Sequence, residues 1–92
     1  MLPIMVEQQP ADERLEQLGV RDWTVWSCDV SQFPWQYDQR EVCYLLEGQA
    51  VITPDGDGAP VEIVAGDLVV FPAGMACQWE VLQPVRTHYR RG

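Results

Sequence analysis

The most informative part of the chain is the run Gly66-Asp67-Leu68-Val69-Val70-Phe71-Pro72-Ala73-Gly74-Met75-Ala76-Cys77. Gly66 before Asp67 suits a tight turn, and residues 68–71 form a short apolar run that is typical of a strand buried on both faces. Pro72-Ala73-Gly74 predicts a second turn, after which Cys77 opens another strand. This part of the chain therefore predicts closely spaced strands joined by tight turns.

The same pattern continues on both sides of this run. Glu41 begins an apolar segment, and Glu47-Gly48 after it predicts a hairpin turn. The predicted strands are 41–46, 49–53, 60–64, 68–71, 77–82 and 85–90, and the predicted turns are 47–48, 55–58, 65–67, 72–74 and 83–84. Many short strands joined by Gly and Pro turns predict an all-β sandwich or a closed barrel.

The N-terminal part predicts one edge strand and one helix. Residues 4–6 are the predicted edge strand. The helix is predicted to begin at Pro10, which suits the first helical position, and to stop at Gly19. Its apolar side chains are few, so we expect it to lie against the outside of the β structure.

Apolar and polar residues alternate with period two from Val20 onward, which predicts another strand. This period puts Trp23 and Trp26 on opposite faces, so only one of them can enter a common interior. Residues 31–40 are predicted to be a mixed polar and aromatic connection, because Pro34 disfavours a central strand while permitting an edge or a bulge.

Composition restricts the partners of the chain. Its 92 residues fit one domain, 1–92, with a thin core that self-association would help. The formal charge is −8, from 14 acidic residues against six arginines and no lysine. This charge repels phosphate backbones and anionic lipid surfaces, so neither nucleic acid nor membrane is expected as a partner.

Cysteine usage and the N-terminal residues bear on location. Cys28, Cys43 and Cys77 are an odd number without CxxC spacing, and the apolar start of the chain turns polar at Glu7. This is not the pattern of a disulfide framework or a signal peptide, and no apolar run approaches the roughly 20 residues of a membrane span. We expect a cytoplasmic protein.

The turn framework resembles that of the cupins, which carry the motifs G-x5-H-x-H-x3/4-E-x6-G and G-x5-P-x-G-x2-H-x3-N. The second motif is matched by Gly66, Pro72 and Gly74, with Cys77 in place of His and Val81 in place of Asn. The end of the first motif is matched by Glu41 and Gly48, and Trp35 and Tyr37 fall where the two His would be. More narrowly, the chain resembles small single-domain cupins grouped with the ureidoglycine aminohydrolase cupin domain.

The resemblance implies a cupin double-stranded β-helix, or jelly-roll, barrel with one short N-terminal helix, a homodimeric assembly and a ligand pocket inside the barrel. Metal-binding cupins use three His and one Glu, and only Glu41 of this set is present here. The family's metal site is therefore expected to be degenerate, and no cofactor is expected.

Period two predicts which side chains share the barrel interior. It places Glu41, Cys43 and Leu45 on one face of their strand, and Cys77, Trp79 and Val81 on one face of theirs. With the cupin alignment, Glu41, Cys43 and Cys77 share a cavity walled by Trp35, Tyr37 and Trp79.

Three interpretations of this cavity are open. Glu41, Cys43 and Cys77, with or without His88, could hold a metal ion. Alternatively, the same residues could perform metal-free acid–base or thiol chemistry, with His88 as the candidate base. In the third interpretation the cysteines are small buried hydrophobes, and the cavity binds a small molecule without turnover.

We favour a small-molecule-binding cupin whose ligand contacts Trp35, Tyr37, Glu41, Trp79 and His88. The candidate catalytic residues are Glu41, Cys43 and Cys77. The alternative is a divergent, metal-assisted aminohydrolase-like enzyme acting on a small nitrogen-containing metabolite, with a divalent transition metal held by Glu41 and Cys77.

Overall fold

The computed structural model describes residues 3–56 and 58–92. It contains one α-helix, one short 3-10 helix (Val20–Asp22) and strands that make up most of the chain. In chain order these elements are β1 (Met5–Glu7), α1 (Asp12–Leu18), β2 (Thr24–Cys28), β3 (Ser31–Gln36), β4 (Glu41–Pro54), β5 (Val61–Val64), β6 (Leu68–Phe71) and β7 (Ala76–Arg91).

Two long antiparallel strands, β4 and β7, organise the fold. The first half of β4 pairs with β6 and with the second half of β7, whose other neighbour is β2. The second half of β4 pairs with β5 and with the first half of β7, whose other neighbour is β3. β1 extends the first set by pairing with β6. The result is the expected all-β jelly-roll cupin barrel, in which both long strands belong to both halves.

The predicted turns at 47–48 and 83–84 are wrong, because both lie inside strands. β4 and β7 stay paired through this region, with register shifts between Leu45 and Ala50. Gly48 has a φ of 96°, and a β-carbon there would overlap the Pro84 carbonyl oxygen. Gly48 and Pro84 thus mark a β-bulge at which the two strands bend together. As a result, one strand, β4, includes the two predicted strands 41–46 and 49–53, and β7 includes 77–82 and 85–90.

The mixed polar and aromatic connection predicted at 31–40 is a strand in its first part, at the edge position that Pro34 permits. β3 pairs with β7 in an unbroken register from Ser31 opposite Val81 to Gln36 opposite Ala76. Within the described residues β3 has β7 as its one neighbour, and an edge strand tolerates the missing N–H of Pro34.

The helix prediction is confirmed with a shifted start. Ala11 occupies the N-cap, so Pro10 precedes the helix instead of beginning it. Gly19 ends the helix in the left-handed conformation, at φ 72°, and its N–H donates to the Glu16 carbonyl. The strand predicted from Val20 starts later, at Thr24, because a 3-10 turn buries Val20 first.

The core lies between the two halves of the barrel, and period two correctly predicts its β4 and β7 members. Cys43 and Leu45 of β4 are buried, as are Cys77, Trp79 and Val81 of β7. Other buried core residues are Tyr37, Ala50, Ile52, Ile63, Val69, Phe71, Met75 and Val85. The core residues of β4 and β7 therefore come from alternate positions along these two strands.

The turns that flank β6 are confirmed. Gly66 and Gly74 both have positive φ, at 96° and 82°. The buried Asp67 carboxylate accepts the N–H of Val64 and a hydrogen bond from the Gln9 amide, which closes the first turn. In the turn predicted at 55–58, Asp57 lies outside the described residues. Within the described part of the chain, no helix is long and apolar enough to cross a membrane.

Candidate ligand pocket

A cavity of about 120 Å³ lies between the two halves of the barrel, at the end where β4 begins and β7 finishes. Most of its lining is aromatic, and its polar groups are few. The lining residues are Trp26, Phe33, Trp35, Tyr37, Glu41, Cys43, Trp79, Thr87, Tyr89 and Arg91. A small, largely apolar cavity with a few convergent polar groups has the character of a small-molecule site.

Strand periodicity explains how these side chains meet. Glu41 and Cys43 are two residues apart on β4, and Thr87, Tyr89 and Arg91 follow the same alternation on β7. Trp26 comes from β2, Phe33 and Trp35 from β3, and Trp79 from the first half of β7. The pocket thus draws on both halves of the barrel and requires their correct packing.

The aromatic rings of the pocket comprise one parallel pair and two tryptophans that stand nearly perpendicular to Phe33. The Trp79 and Phe33 rings are parallel, with an interplanar angle of 7° and centroids 6.0 Å apart. Trp26 is nearly perpendicular to both, at 77° to each. Trp35 is 87° from the Phe33 plane. Trp35 and Trp26 are 49% and 37% exposed, so they form the outer rim of the pocket.

Backbone hydrogen bonds, ring stacking and a side-chain hydrogen bond hold Tyr37 in place. Its backbone N–H donates to the Met75 carbonyl and its own carbonyl accepts from the Gly74 N–H, at 2.9 and 2.6 Å. The ring stacks on Phe71 with centroids 4.5 Å apart, and the hydroxyl accepts the Trp79 indole N–H at 3.1 Å. Burial above all raises the pKa of this phenol far above its usual value, with the negative charge of nearby groups adding to the effect. The hydroxyl therefore stays protonated and keeps a proton to donate.

Glu41 supplies the acidic group of the pocket. Its side chain is 18% exposed, and its Oε1 lies 3.8 Å from the Arg91 Nε. Desolvation raises the pKa of this carboxyl, and the positive charge of Arg91 opposes that shift without cancelling it. The carboxylate is thus only partly compensated by the groups around it.

The two buried cysteines, Cys43 and Cys77, lie in different parts of the barrel, and both are protonated near neutral pH. Cys43 lines the pocket, whereas Cys77 belongs to the core and is not part of the lining. Burial raises the pKa of Cys43 well above the ordinary thiol range, and burial together with the Asp55 charge raises the pKa of Cys77 to about 11. Both sulfurs are therefore thiols near neutral pH, which is the form that is not nucleophilic.

His88 points away from the pocket, contrary to the role expected for it. It occupies the other face of β7 from Thr87 and Tyr89, and its Nδ1 lies 3.2 Å from the Trp23 carbonyl oxygen. It faces a separate groove beside α1, together with Tyr44. His88 cannot serve as a base for Cys43 or as a ligand contact inside the barrel, because strand alternation turns its side chain outward.

The three-residue metal site considered from the sequence is not assembled. Across residues 3–56 and 58–92, no group of three or more His, Cys, Asp or Glu side chains could hold a metal ion. Glu41 and Cys43 border one cavity while Cys77 packs into the core, so the set is divided.

The sequence indicated half of the lining and missed the other half. Trp35, Tyr37, Glu41, Cys43 and Trp79 are placed at the pocket, where they were expected. Phe33, Thr87, Tyr89 and Arg91 were missed, and Trp26 was left open. The sequence does contain a pattern that predicts the β7 residues of the lining. Val85, Thr87 and Tyr89 alternate with the polar residues Arg86, His88 and Arg90, which indicates that the first three share the inward face.

Comparisons with known proteins agree with this fold. A family profile described as an EutQ-like cupin domain matches residues 15–89. No curated protein sequence matches the chain significantly. The structure of a DUF861 family protein from Thermotoga maritima superimposes with a TM-score of 0.92 at 45% identity, covering 97% of this chain and 99% of that one.

Two EutQ structures are more distant. A putative ethanolamine utilization protein Q from Salmonella typhimurium gives a TM-score of 0.65 at 25% identity, covering 73% of this chain and 53% of that protein. The EutQ protein of Clostridium difficile gives 0.62 at 26% identity, covering 71% and 46%. The chain thus spans about half the length of each EutQ protein.

Proposed function

We propose a ligand-binding function for this chain, which belongs to the EutQ-like cupin domain family: it binds a small organic molecule in the aromatic pocket between the halves of the barrel. The observation that carries the proposal is the lining itself. Three tryptophans, two tyrosines and a phenylalanine surround one partly compensated carboxylate, Glu41. A core that served stability alone gains nothing from such a carboxylate, because desolvation disfavours its charged form.

Two polar groups give the pocket a means of orienting a ligand. The Glu41 carboxylate is an acceptor, and the Tyr37 hydroxyl, which already accepts from Trp79, has a proton left to donate. Both groups line the same cavity. A ligand that carries a donor and an acceptor can therefore be held in one orientation between the rings.

The aminohydrolase-like alternative has less support. Thiol chemistry is disfavoured by the raised pKa values of Cys43 and Cys77, and His88 lies on the outer face of β7. A divalent metal held by Glu41 and Cys77 would need ligands from both the pocket and the core. We therefore propose binding without turnover. We also propose that the chain is related to the ureidoglycine aminohydrolase cupins.

A homodimer is the assembly that we propose. Val25 of β2 and Leu46 of β4 are 46% and 36% exposed, and burying such side chains would add to a core that is thin in a chain of this length. Light scattering across a range of protein concentrations tests this proposal, and a mass of one chain at every concentration would contradict it.

The chain provides its own reporters for ligand binding. It has four tryptophans, of which Trp26, Trp35 and Trp79 line the pocket and Trp23 does not. In ¹H–¹⁵N spectra, a small molecule bound in the pocket should shift the indole signals of the first three and leave that of Trp23 in place.

A screen of small neutral, cationic and anionic compounds applies this test, with Trp35→Ala as the variant that opens the rim. Trp23→Ala is its control, since it removes the same side chain outside the pocket. The proposal is wrong if no compound shifts the three pocket signals, or if Trp35→Ala and Trp23→Ala weaken binding equally.

A further inference from the structure

The geometry points to an organic cation as the ligand, with an alkylammonium group held against the ring faces and beside the Glu41 carboxylate. This inference rests on the proposed ligand-binding function and specifies the chemical class that the pocket selects. Its basis is the arrangement of the rings, the position of the carboxylate and the behaviour of Arg91.

The rings form walls in different planes. Trp26 stands perpendicular to Phe33 and Trp79, and Trp35 stands perpendicular to Phe33. Each aromatic face carries negative charge density, so several faces around one cavity attract a cation from several sides at once. The one parallel pair, Phe33 and Trp79, stack on each other with centroids 6.0 Å apart and leave no room for a third ring between them. A compact ammonium group instead suits walls that meet nearly at right angles.

Glu41 adds an acidic group to the same cavity. Glu41 lies directly opposite Arg91 of β7 and two residues from the uncharged Cys43, and among the described lining residues Arg91 is the one that carries a positive charge. Its pKa is raised even though Arg91 is close, which means that its charge is only partly compensated. A bound cation would supply the missing compensation.

Arg91 shows that this end of the pocket accepts a cation. Its guanidinium carbon lies 5.9 Å from the Tyr89 ring centroid, and its Nε lies 3.8 Å from the Glu41 Oε1. The side chain is 60% exposed, so it can move into solvent without opening the core. We infer that Arg91 competes with the ligand for the same carboxylate.

Choline and its uncharged carbon isostere, 3,3-dimethylbutan-1-ol, separate charge from shape. They have the same arrangement of non-hydrogen atoms, and only choline carries a positive charge. Titrating each against the tryptophan indole signals gives two dissociation constants. Choline is expected to bind at least about tenfold more tightly, since a desolvated cation–π contact and an adjacent carboxylate act together.

Charge-matched variants assign the effect to residues. Glu41→Gln should remove most of the preference for choline and leave binding of the alcohol unchanged, while Glu62→Gln, which removes an exposed charge on β5, should alter neither. Arg91→Met should strengthen choline binding by severalfold. Arg90→Met is its control, because it makes the same change of net charge beside Trp23, outside the pocket.

The outcomes distinguish this inference from the proposed function. If the alcohol binds as tightly as choline, or if neither probe shifts the pocket signals, the inference is wrong. The proposed function stands in both cases if any neutral or anionic compound of the screen shifts the signals of Trp26, Trp35 and Trp79. The proposed function fails together with the inference if no compound of any charge shifts these signals.

Discussion

Gly48 of β4 lies directly against the backbone of Pro84 in β7, and the two long strands exchange their outer neighbours on either side of this contact. Before Gly48, β4 pairs with β6, and after it with β5. β7 makes the corresponding change from β3 to β2 around Pro84. The contact thus fixes the bend that brings the two halves of the barrel face to face, with the pocket between them.

Gly48→Ala should destabilise the fold by more than about 2 kcal/mol, because the added methyl group meets backbone atoms that cannot rotate away. Gly74→Ala is the matched control. Gly74 also has a positive φ, but a β-carbon there has no atom within 4 Å, so its cost should be the conformational strain of about 1 kcal/mol. Urea denaturation compares the two, and equal costs would contradict the role of the Pro84 contact.

Tyr37→Phe should lower the free energy of unfolding by about 1–3 kcal/mol, since it leaves the buried Trp79 indole N–H without an acceptor. The matched control is Tyr44→Phe, at a half-buried position on the outward-facing side of β4, where little change is expected. The Trp79 indole signal should shift in Tyr37→Phe alone. An unchanged signal would show that the hydrogen bond is not formed in solution.

The three cysteines should react with Ellman's reagent at very different rates. Cys28 is half-buried, whereas Cys43 and Cys77 are buried and their pKa values are raised, so neither accessibility nor thiolate formation favours attack by the last two. One thiol should react quickly in the folded protein and all three in denaturant. Cys28→Ser should abolish the fast phase, and a fast phase that survives would mean that Cys43 or Cys77 is accessible in the folded protein.

Glu41 should make stability depend on pH. Burial raises the pKa of its carboxyl in the folded state, so the fold favours the protonated form and binds that proton more tightly than the unfolded chain does. Its contribution is therefore fully present below the ordinary value of 4.5 and is lost as the pH rises through the raised pKa.

Glu41→Gln should remove this step and raise the urea midpoint above that of the parent at pH 7. Parallel urea curves from pH 4 to pH 8 measure the effect, and Glu62→Gln, at an exposed position, controls for net charge. A Glu41→Gln variant that is less stable than the parent at pH 7 would mean that Arg91 compensates the carboxylate more fully than its 3.8 Å separation indicates.

Local sequence features predicted the turns that need particular residues. Gly66 and Gly74 adopt positive φ at the two ends of β6, and Gly19 ends the helix. These were predictable because a tight turn requires glycine whatever surrounds it. Gly48 and Pro84 predicted turns for the same reason. Those predictions were wrong, because a bulge between paired strands uses the same residue types.

By itself, the sequence determined the all-β class, the helix and its glycine stop, the spacing of the cupin turns and the inward alternation of β4 and β7. Each of these depends on interactions between residues close in the chain. The tertiary structure alone decided that 31–36 is a strand, and that Trp26 and Phe33 join Glu41 around one cavity. Those placements depend on which strands pair and in what register, and the pairing joins residues far apart in the sequence, where local patterns carry no information.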